Sequence, residues 1–225
     1  MANSTNYYTL IGSLPALPRH FEQAERVPIS PLKLSERLKM LEPEDAKVVE
    51  ELRDFLVWEG QPLERTDQNV LHRHDQFKET LQNAFAWELI HHVFAVRSII
   101  AGLRCRRLQL DPPVGHASIQ AQIARNWGHP DFRLGMRFPW IGEVDAMLRS
   151  ETPFDVQRKK LEIGWQYAKR LSEQYFFTFE AVLLYLIQWN IVDRWTWRNA
   201  DTGHERFEQL VTDAMGQYAN MFAEE

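Results

Sequence analysis

The feature that most restricts the fold of this chain is the distribution of its prolines. Six of the eleven lie between Pro15 and Pro62, and none follows Pro153, so the last 72 of the 225 residues contain no proline. A single straight helix of that length would extend roughly 108 Å, at about 1.5 Å per residue, which exceeds the size of a compact domain. The sequence therefore predicts an N-terminal region rich in turns and C-terminal helices that fold back on themselves.

Apolar residues recur at helical spacing through most of the chain. Ser30-Pro31 is a typical N-cap and first helical residue, and Thr152-Pro153 repeats it. One helix is predicted from Val48 to Leu56 with Gly60 as its stop, and another begins after a Thr66 or Asp67 cap. A third is predicted around Trp140 to Leu148. A long helix before Pro112 is indicated by a heptad-like seam, which comprises Leu89, Val93, Val96, Ile100 and Leu103.

The C-terminal third carries three further helical patterns. One apolar stripe runs from Leu161 to Tyr175, and residues 179 to 192 are apolar nearly all round, which predicts the central buried helix. A clean amphipathic stripe follows from Phe207 to Met221, and a turn is predicted at Trp195.

Period-two alternation, the pattern of a half-buried strand, is scarce. Only the pattern of Tyr7 to Leu14 fits a strand as well as a helix. We therefore expect an all-α fold: a multi-helix bundle with long C-terminal helices and at most one short N-terminal strand. Residues 1–225 are predicted to form a single helical domain, with a loop boundary near 111–139 as the alternative.

Charge is distributed unevenly along the chain. The net charge is −5, but the segment from Leu89 to Gly142 holds seven arginines against Asp111 and Asp131, and is therefore basic. A basic segment inside an acidic chain favours docking to an acidic protein surface over general nucleic-acid affinity, so no nucleic acid is expected. The alternative is that the basic segment is simply a solvated helix face with no partner. The candidate partner-binding residues are Arg97, Arg104, Arg106, Arg107, Arg194, Trp195 and Trp197.

The motifs of common enzyme classes are missing. One cysteine, Cys105, excludes an internal disulfide and a cysteine-rich zinc site, and no glycine-rich phosphate loop, GxSxG or HExxH occurs. No secretory signal or membrane-spanning apolar run stands out, which favours a cytoplasmic protein. We expect no catalytic residue, cofactor or metal.

One pattern supports a different function. Glu88 and His91 form an ExxH pair, which places a carboxylate and an imidazole on one helix face, as in di-iron bundles. A second such pair is lacking, since Asp201 to His204 has the shorter acid and an internal glycine. A helical metal-dependent oxidoreductase that uses Glu88 and His91 is the alternative function.

Three stretches carry a resemblance. The first is Tyr7–Pro15, where a tyrosine pair leads into an apolar run and a Leu-Pro. The second is the arginine-bearing Arg97–Arg107, and the third is Tyr175–Trp195 with Gly203 and Phe207 after it. In this order they resemble a family of unknown-function bacterial proteins encoded with the subunits of V/A-type ATPases.

The resemblance implies a non-catalytic structural, coupling or assembly component of a bacterial V/A-type ATPase. Its candidate analogue is the helical subunit called C in the archaeal and d in the vacuolar type, which seats the central shaft on the membrane ring. This chain is shorter, and the repeated bundles of that subunit are not traceable in it. The resemblance implies the central stalk and the membrane ring as partners, and a place at the inner membrane held only through them.

Overall fold

The computed structural model describes residues 7–56, 72, 75–77, 81, 83–113, 118–150 and 153–198, and these residues contain helices and no strand. The predicted all-α, multi-helix fold is confirmed. In chain order the elements are α1 (Tyr8–Ser13), a 3-10 turn (Phe21–Gln23), α2 (Pro31–Leu38), α3 (Pro43–Leu56), α4 (Ala84–Arg107), α5 (Ser118–Arg125), α6 (Ile141–Arg149), α7 (Pro153–Ser172) and α8 (Phe179–Arg198).

Local caps explain where several helices begin. The side chain of Ser30 accepts a hydrogen bond from the Lys33 amide, and Pro31 is the first residue of α2, as the sequence predicts. Asn83 caps α4 by accepting from the Ala86 amide at 2.8 Å. The predicted signals at Gly60, Thr66, Asp67 and Thr152 and the stripe from Phe207 to Met221 lie outside the described residues.

The N-terminal segment, for which a strand and a helix were both open, is a helix. In α1, Leu10 is buried together with Tyr7, which precedes it by three residues, so both lie on one helical face. The Ser13 hydroxyl donates to the Leu10 carbonyl at 2.7 Å, which satisfies one of the last acceptors of the short helix. No neighbouring strand in the described part of the chain offers the ladder that a strand needs.

The predicted 179–192 segment of α8 has no exposed residue, and helix α4 is enclosed to a similar extent. Its buried residues lie on every side of the helix, including Leu89, Phe94 and Leu103. A Cβ atom placed on Gly102 would stand 3.1 Å from Ile123 Cγ2, which means that α5 approaches the backbone of α4 closely. The first half of α4 packs in one hydrophobic cluster with α1, α3 and α8, and its second half in another with α5, α6 and α7.

The predicted fold-back of the proline-free region is the α7–α8 pair. The two helices are antiparallel, since Ala168 shares a cluster with Leu183 near their connection, whereas Trp165 packs with Val192 further away. Helix α8 continues to Arg198, so the predicted turn at Trp195 is wrong. Because α8 continues as a helix, the Trp195 ring packs edge to face on Phe21, with 5.3 Å between the ring centres.

The segment 111–139, considered above as a loop boundary, contains α5 and packs on α4. Ile119, Phe132 and Phe138 from this segment are buried in the same cluster as Leu103 of α4 and Val144 of α6. The Asp131 carboxylate accepts from the amides of Arg133 and Gly135, at 2.8 Å and 3.1 Å, and so shapes the turn between α5 and α6.

Candidate binding site

Arg106 is a structural side chain. It donates to the carbonyl oxygens of His129 and Pro130, both at 2.8 Å, and lies 3.4 Å from the Asp145 carboxylate. Its guanidinium also lies 4.7 Å from the centre of the Phe132 ring. Because both Nη atoms of the planar guanidinium join α4 to the α5–α6 turn and to α6, Arg106 serves chiefly to hold these elements together.

The other two arginines at the end of α4 differ from each other. The Arg107 guanidinium donates to the Leu148 carbonyl, which ties α4 to the last turn of α6. The Arg104 side chain is exposed, and within the described residues it makes no ion pair or hydrogen bond. Arg104 and Arg107 are both exposed, and of these two Arg107 is the one tied to α6.

Arg97 and Arg194 come together at one cavity. This cavity measures about 430 Å³ and lies between α2, α3, α4, α7 and α8. Arg97 from α4, Lys160 from α7 and Arg194 from α8 all line it. The sequence places these residues up to 97 positions apart, so their proximity is a property of the fold.

The cavity is apolar at one end and basic at the other. Leu52, Leu89 and Leu183 line it and belong to one hydrophobic cluster, which marks the apolar end. The basic end follows from the helix directions: Ile163 belongs to the same hydrophobic cluster as Val96, which precedes Arg97. Lys160 lies nearly one turn before Ile163 on α7.

The contacts of α8 place Arg194 at the same basic end of the cavity. A Cβ atom on Gly164 would lie 3.3 Å from Ile191 Cδ1, and Arg194 follows Ile191 by three residues. Arg97 and Arg194 therefore lie eight and eleven residues along α4 and α8 from Leu89 and Leu183, and Lys160 lines the same cavity from α7. On the α3 side, exposed Glu50 and Arg53 carry opposite charges that balance each other.

His92 lines the middle of the cavity as a neutral imidazole. Burial, reinforced by the nearby charges of Arg170 and Arg137, lowers its pKa to about 4. Its ring stacks on Tyr167 with centroids 3.5 Å apart, and the Tyr167 hydroxyl donates to Glu88 at 3.2 Å. Burial and this carboxylate raise the pKa of Tyr167 to about 12.

The two candidate tryptophans occupy different environments. Trp195 is half-buried and packs against Phe21 and Phe154, at 5.3 Å and 6.3 Å between ring centres. Trp197 is 64% exposed. Since residues two apart on a helix point about 200° apart, the continuation of α8 through this segment sends the two rings in different directions.

The structure also describes Glu88 and His91, the two residues of the alternative di-iron hypothesis. Glu88 accepts from Tyr167, and the ring of His91 lies 6.1 Å from that of Trp87. In the part of the chain that the structure describes, no three His, Cys, Asp or Glu side chains form a group suited to a metal ion. Within these residues no observation favours the di-iron interpretation.

Sequence reasoning missed the cavity, the His92–Tyr167 stack and an exposed aromatic patch. The patch comprises Tyr8, Phe176 and Phe177, and the rings of Tyr8 and Phe177 lie 4.7 Å apart. The tyrosine pair and the Tyr-Phe-Phe run were visible in the sequence, but nothing in either run showed that they meet. Gly164 indicated a close approach of two helices, which the structure has at Ile191, but it gave no sign of the cavity.

Helix α4 has a further property of composition. Among the described residues it is the one helix that is long and apolar enough to cross a membrane, and 56% of its most apolar window is buried inside the protein. The expectation that no segment approaches this length and composition is corrected by this observation. Buried core helices of soluble proteins have the same property, so it is weak evidence for a membrane span.

Comparison with known proteins gives one match. A family model described as "Protein of unknown function (DUF2764)" matches residues 34–217. No curated protein and no solved structure matches the chain.

Proposed function

The chain belongs to the DUF2764 family, whose function is unknown, and we propose that it is a non-catalytic structural, coupling or assembly component of a bacterial V/A-type ATPase. The proposal extends the resemblance carried by Tyr7–Pro15, Arg97–Arg107 and Tyr175–Trp195. In it, the protein links the central stalk to the membrane ring at the cytoplasmic side, and reaches the membrane only through those partners.

The observation that carries the proposal is the arrangement of arginines on α4. Arg97 and Arg104 are seven residues apart, which is close to two helical turns, so they lie on one face of the helix about 10 Å apart. Arg194 joins Arg97 at the cavity. A basic strip on tightly packed helices suits a rigid adaptor that meets an acidic partner surface, because such charges steer association and fix orientation.

Within this proposal, exposed residues that do not join two elements are the preferred docking residues. Arg106 and Arg107 join α4 to neighbouring segments, so their replacement affects stability as well as the surface. Exposed Arg104 and Trp197 are suited to direct contact with a partner, whereas Trp195 contributes chiefly to packing.

The test is co-expression of the tagged chain with V/A-type ATPase subunits and a pull-down at low salt. We expect stalk and ring subunits in a fixed ratio. Arg104→Glu should weaken the association on the order of fivefold, with a smaller difference at high salt, while circular dichroism stays unchanged. Arg19→Glu is the matched control, because Arg19 is also exposed but lies outside the strip.

Two results would contradict the proposal at different levels. Failure to recover any ATPase subunit at low salt means that the chain is not a component of that complex. Recovery that Arg104→Glu and Arg19→Glu affect equally means that the α4 strip is not the docking surface.

A further inference from the structure

The turn that ends α4 carries two exposed leucines. Leu108 is 66% exposed and Leu110 is 55% exposed, so most of each side chain is in contact with solvent. Single exposed apolar residues are common on protein surfaces and need no explanation. Two of them within three residues, beside exposed arginines, form an apolar surface with charged neighbours, which is typical of a protein contact. We name residues 104–111 the leucine turn.

Two backbone hydrogen bonds define the conformation of the leucine turn. The Leu110 amide donates to the Cys105 carbonyl at 2.9 Å, and the Gln109 amide donates to the Arg106 carbonyl at 3.2 Å. This is the Schellman pattern, in which a residue of left-handed conformation closes the end of a helix. Gln109 has that conformation, with a φ of 57°. The consecutive prolines Pro112–Pro113 restrict the chain that follows.

The helix end does not bury its own leucines. In a Schellman turn, the residue after the left-handed one commonly packs back on the last turns of the helix, which here would cover Leu110. Its side chain is nevertheless more than half exposed, and so is that of Leu108. The left-handed position holds Gln109 rather than glycine, the residue that adopts this conformation at least cost. A partner surface would provide the burial that the local structure does not.

The base of the leucine turn is anchored to two neighbouring segments. Arg106 donates to the carbonyl oxygens of His129 and Pro130, both at 2.8 Å, and Arg107 donates to the Leu148 carbonyl of α6. These bonds hold the end of α4 in one position relative to α6 and to the turn before it. The leucines are therefore presented on a rigid support, and a surface that is already ordered loses little conformational entropy when a partner binds.

The leucine turn is also basic. It contains three arginines and a single carboxylate, that of Asp111. Arg104 and Leu108 are four residues apart at the end of α4, so these two exposed side chains are neighbours on one helical face. A surface that covers both must be apolar at the leucines and negatively charged beside them.

We infer that Leu108 and Leu110 bind in an apolar pocket of a partner protein, and that carboxylates at the edge of this pocket face Arg104. The inference rests on the proposed function, because it assigns the pocket to the stalk or ring subunit that the chain contacts. An anionic membrane surface is the competing partner. A protein pocket can place its carboxylates at the arginine alone, whereas an anionic membrane also presents its charge to Asp111, which directly follows Leu110.

The experiment titrates the immobilised full-length chain with the V/A-type ATPase subunits that it recovers in the low-salt pull-down. Leu108→Ser and Leu110→Ser should each weaken the association roughly tenfold, because each removes apolar area that the pocket buries. Leu32→Ser should leave the affinity unchanged and is the matched control, since Leu32 is exposed on α2. Leu108→Met should retain most of the affinity, because it keeps the apolar volume. Since the replaced leucines are exposed, all variants should melt as the wild type does.

Salt separates the apolar from the charged part of the contact. The loss of affinity in Leu110→Ser should be the same at low and at high salt, because burial of an apolar side chain involves no charge. The loss in Arg104→Glu should become smaller at high salt, where the attraction to carboxylates is screened. A loss in Leu110→Ser that disappears at high salt would contradict burial in an apolar pocket.

Three further outcomes would overturn the inference. If Leu108→Ser, Leu110→Ser and Leu32→Ser all bind the subunits as the wild type does, the leucines lie outside the interface, while the proposed function stands. If the wild-type chain recovers no subunit, the proposed function fails and this inference fails with it. If the chain sediments with phosphatidylglycerol vesicles but not with phosphatidylcholine vesicles, and both leucine variants lose that binding, the partner is a membrane surface.

Discussion

The backbone amide of Tyr7 donates a hydrogen bond to the carbonyl oxygen of Phe177, at 2.7 Å. This bond joins the segment before α1 to the connection between α7 and α8. The ring of Tyr8 packs on Phe177 and that of Tyr7 lies 6.4 Å from Phe179. Two of the three stretches that carry the family resemblance are therefore one structural unit.

Replacing Tyr7 by Phe should destabilise the protein. The buried Tyr7 hydroxyl donates to the Asp45 carboxylate and accepts from the Glu42 amide at 3.2 Å, so it fixes α1 to the start of α3. Loss of both bonds should lower the free energy of unfolding by about 1–3 kcal/mol, measured by urea denaturation. Tyr8→Phe is the control, because Tyr8 is exposed; equal losses in the two variants would contradict the role of Tyr7.

Arg106→Lys should destabilise the protein although the substitution keeps the positive charge. A lysine ammonium cannot reproduce the planar fork that reaches the His129 and Pro130 carbonyls together, and it loses the stack on Phe132. We expect a loss of about 2 kcal/mol in thermal or urea unfolding. Arg104→Lys, two residues earlier and exposed, should change stability little, and a similar loss there would refute the assignment.

His92 should make the protein sensitive to acid. Its pKa is about 4 in the folded protein, chiefly because of burial, and 6.5 is the ordinary value expected when unfolded. The unfolded chain therefore binds the proton more tightly, and stability is lost as the pH falls from 6.5 towards 4, by about 3 kcal/mol in total. His92→Phe keeps a ring on Tyr167 and should flatten this part of the stability–pH curve. An unchanged slope would contradict the neutral buried imidazole.

Two helical glycines should respond in opposite directions. A Cβ on Gly142 of α6 meets no atom within 4 Å, so Gly142→Ala should stabilise by up to about 1 kcal/mol through helix propensity. At Gly102 the same atom would lie 3.1 Å from Ile123, and Gly102→Val should overpack the α4–α5 contact at a cost of about 1–3 kcal/mol. Melting temperatures of the two variants measure the contrast, and a shared direction would refute it.

The sequence was informative where local chemistry decides the structure. The Ser30 cap, the proline starts of α2 and α7 and the apolar periodicity of α4 act within a few residues, and these elements are present as predicted. The segment at Tyr7 is different, because its alternating pattern fits strand and helix equally. Its helical state depends on burial of Leu10 against distant helices, which no local pattern contains.

The candidate site was predictable only in part, for a related reason. The arginine-rich end of α4 was evident from the sequence, but sequence adjacency could not separate inward Arg106 from exposed Arg104, which depends on where α6 packs. The basic end of the cavity combines side chains from α4, α7 and α8, and its position follows from helix direction alone. The continuous helix at Trp195 was missed because the pair Trp195 and Trp197, flanked by Arg194 and Arg198, was interpreted as the exposed start of a turn.

The contacts between the two ends of the described chain also restrict the order of folding during synthesis. The Tyr185 hydroxyl donates to the Pro15 carbonyl, and the two residues are 170 positions apart in sequence. The hydrogen bond from the Tyr7 amide to the Phe177 carbonyl likewise cannot form before Phe177 has been synthesised. At about 5–20 residues per second, the ribosome delivers that much chain in roughly 8–34 s. Throughout this interval the apolar face of α1 has no native partner from α8, so the nascent N-terminal segment presents an apolar surface of the kind that chaperones bind.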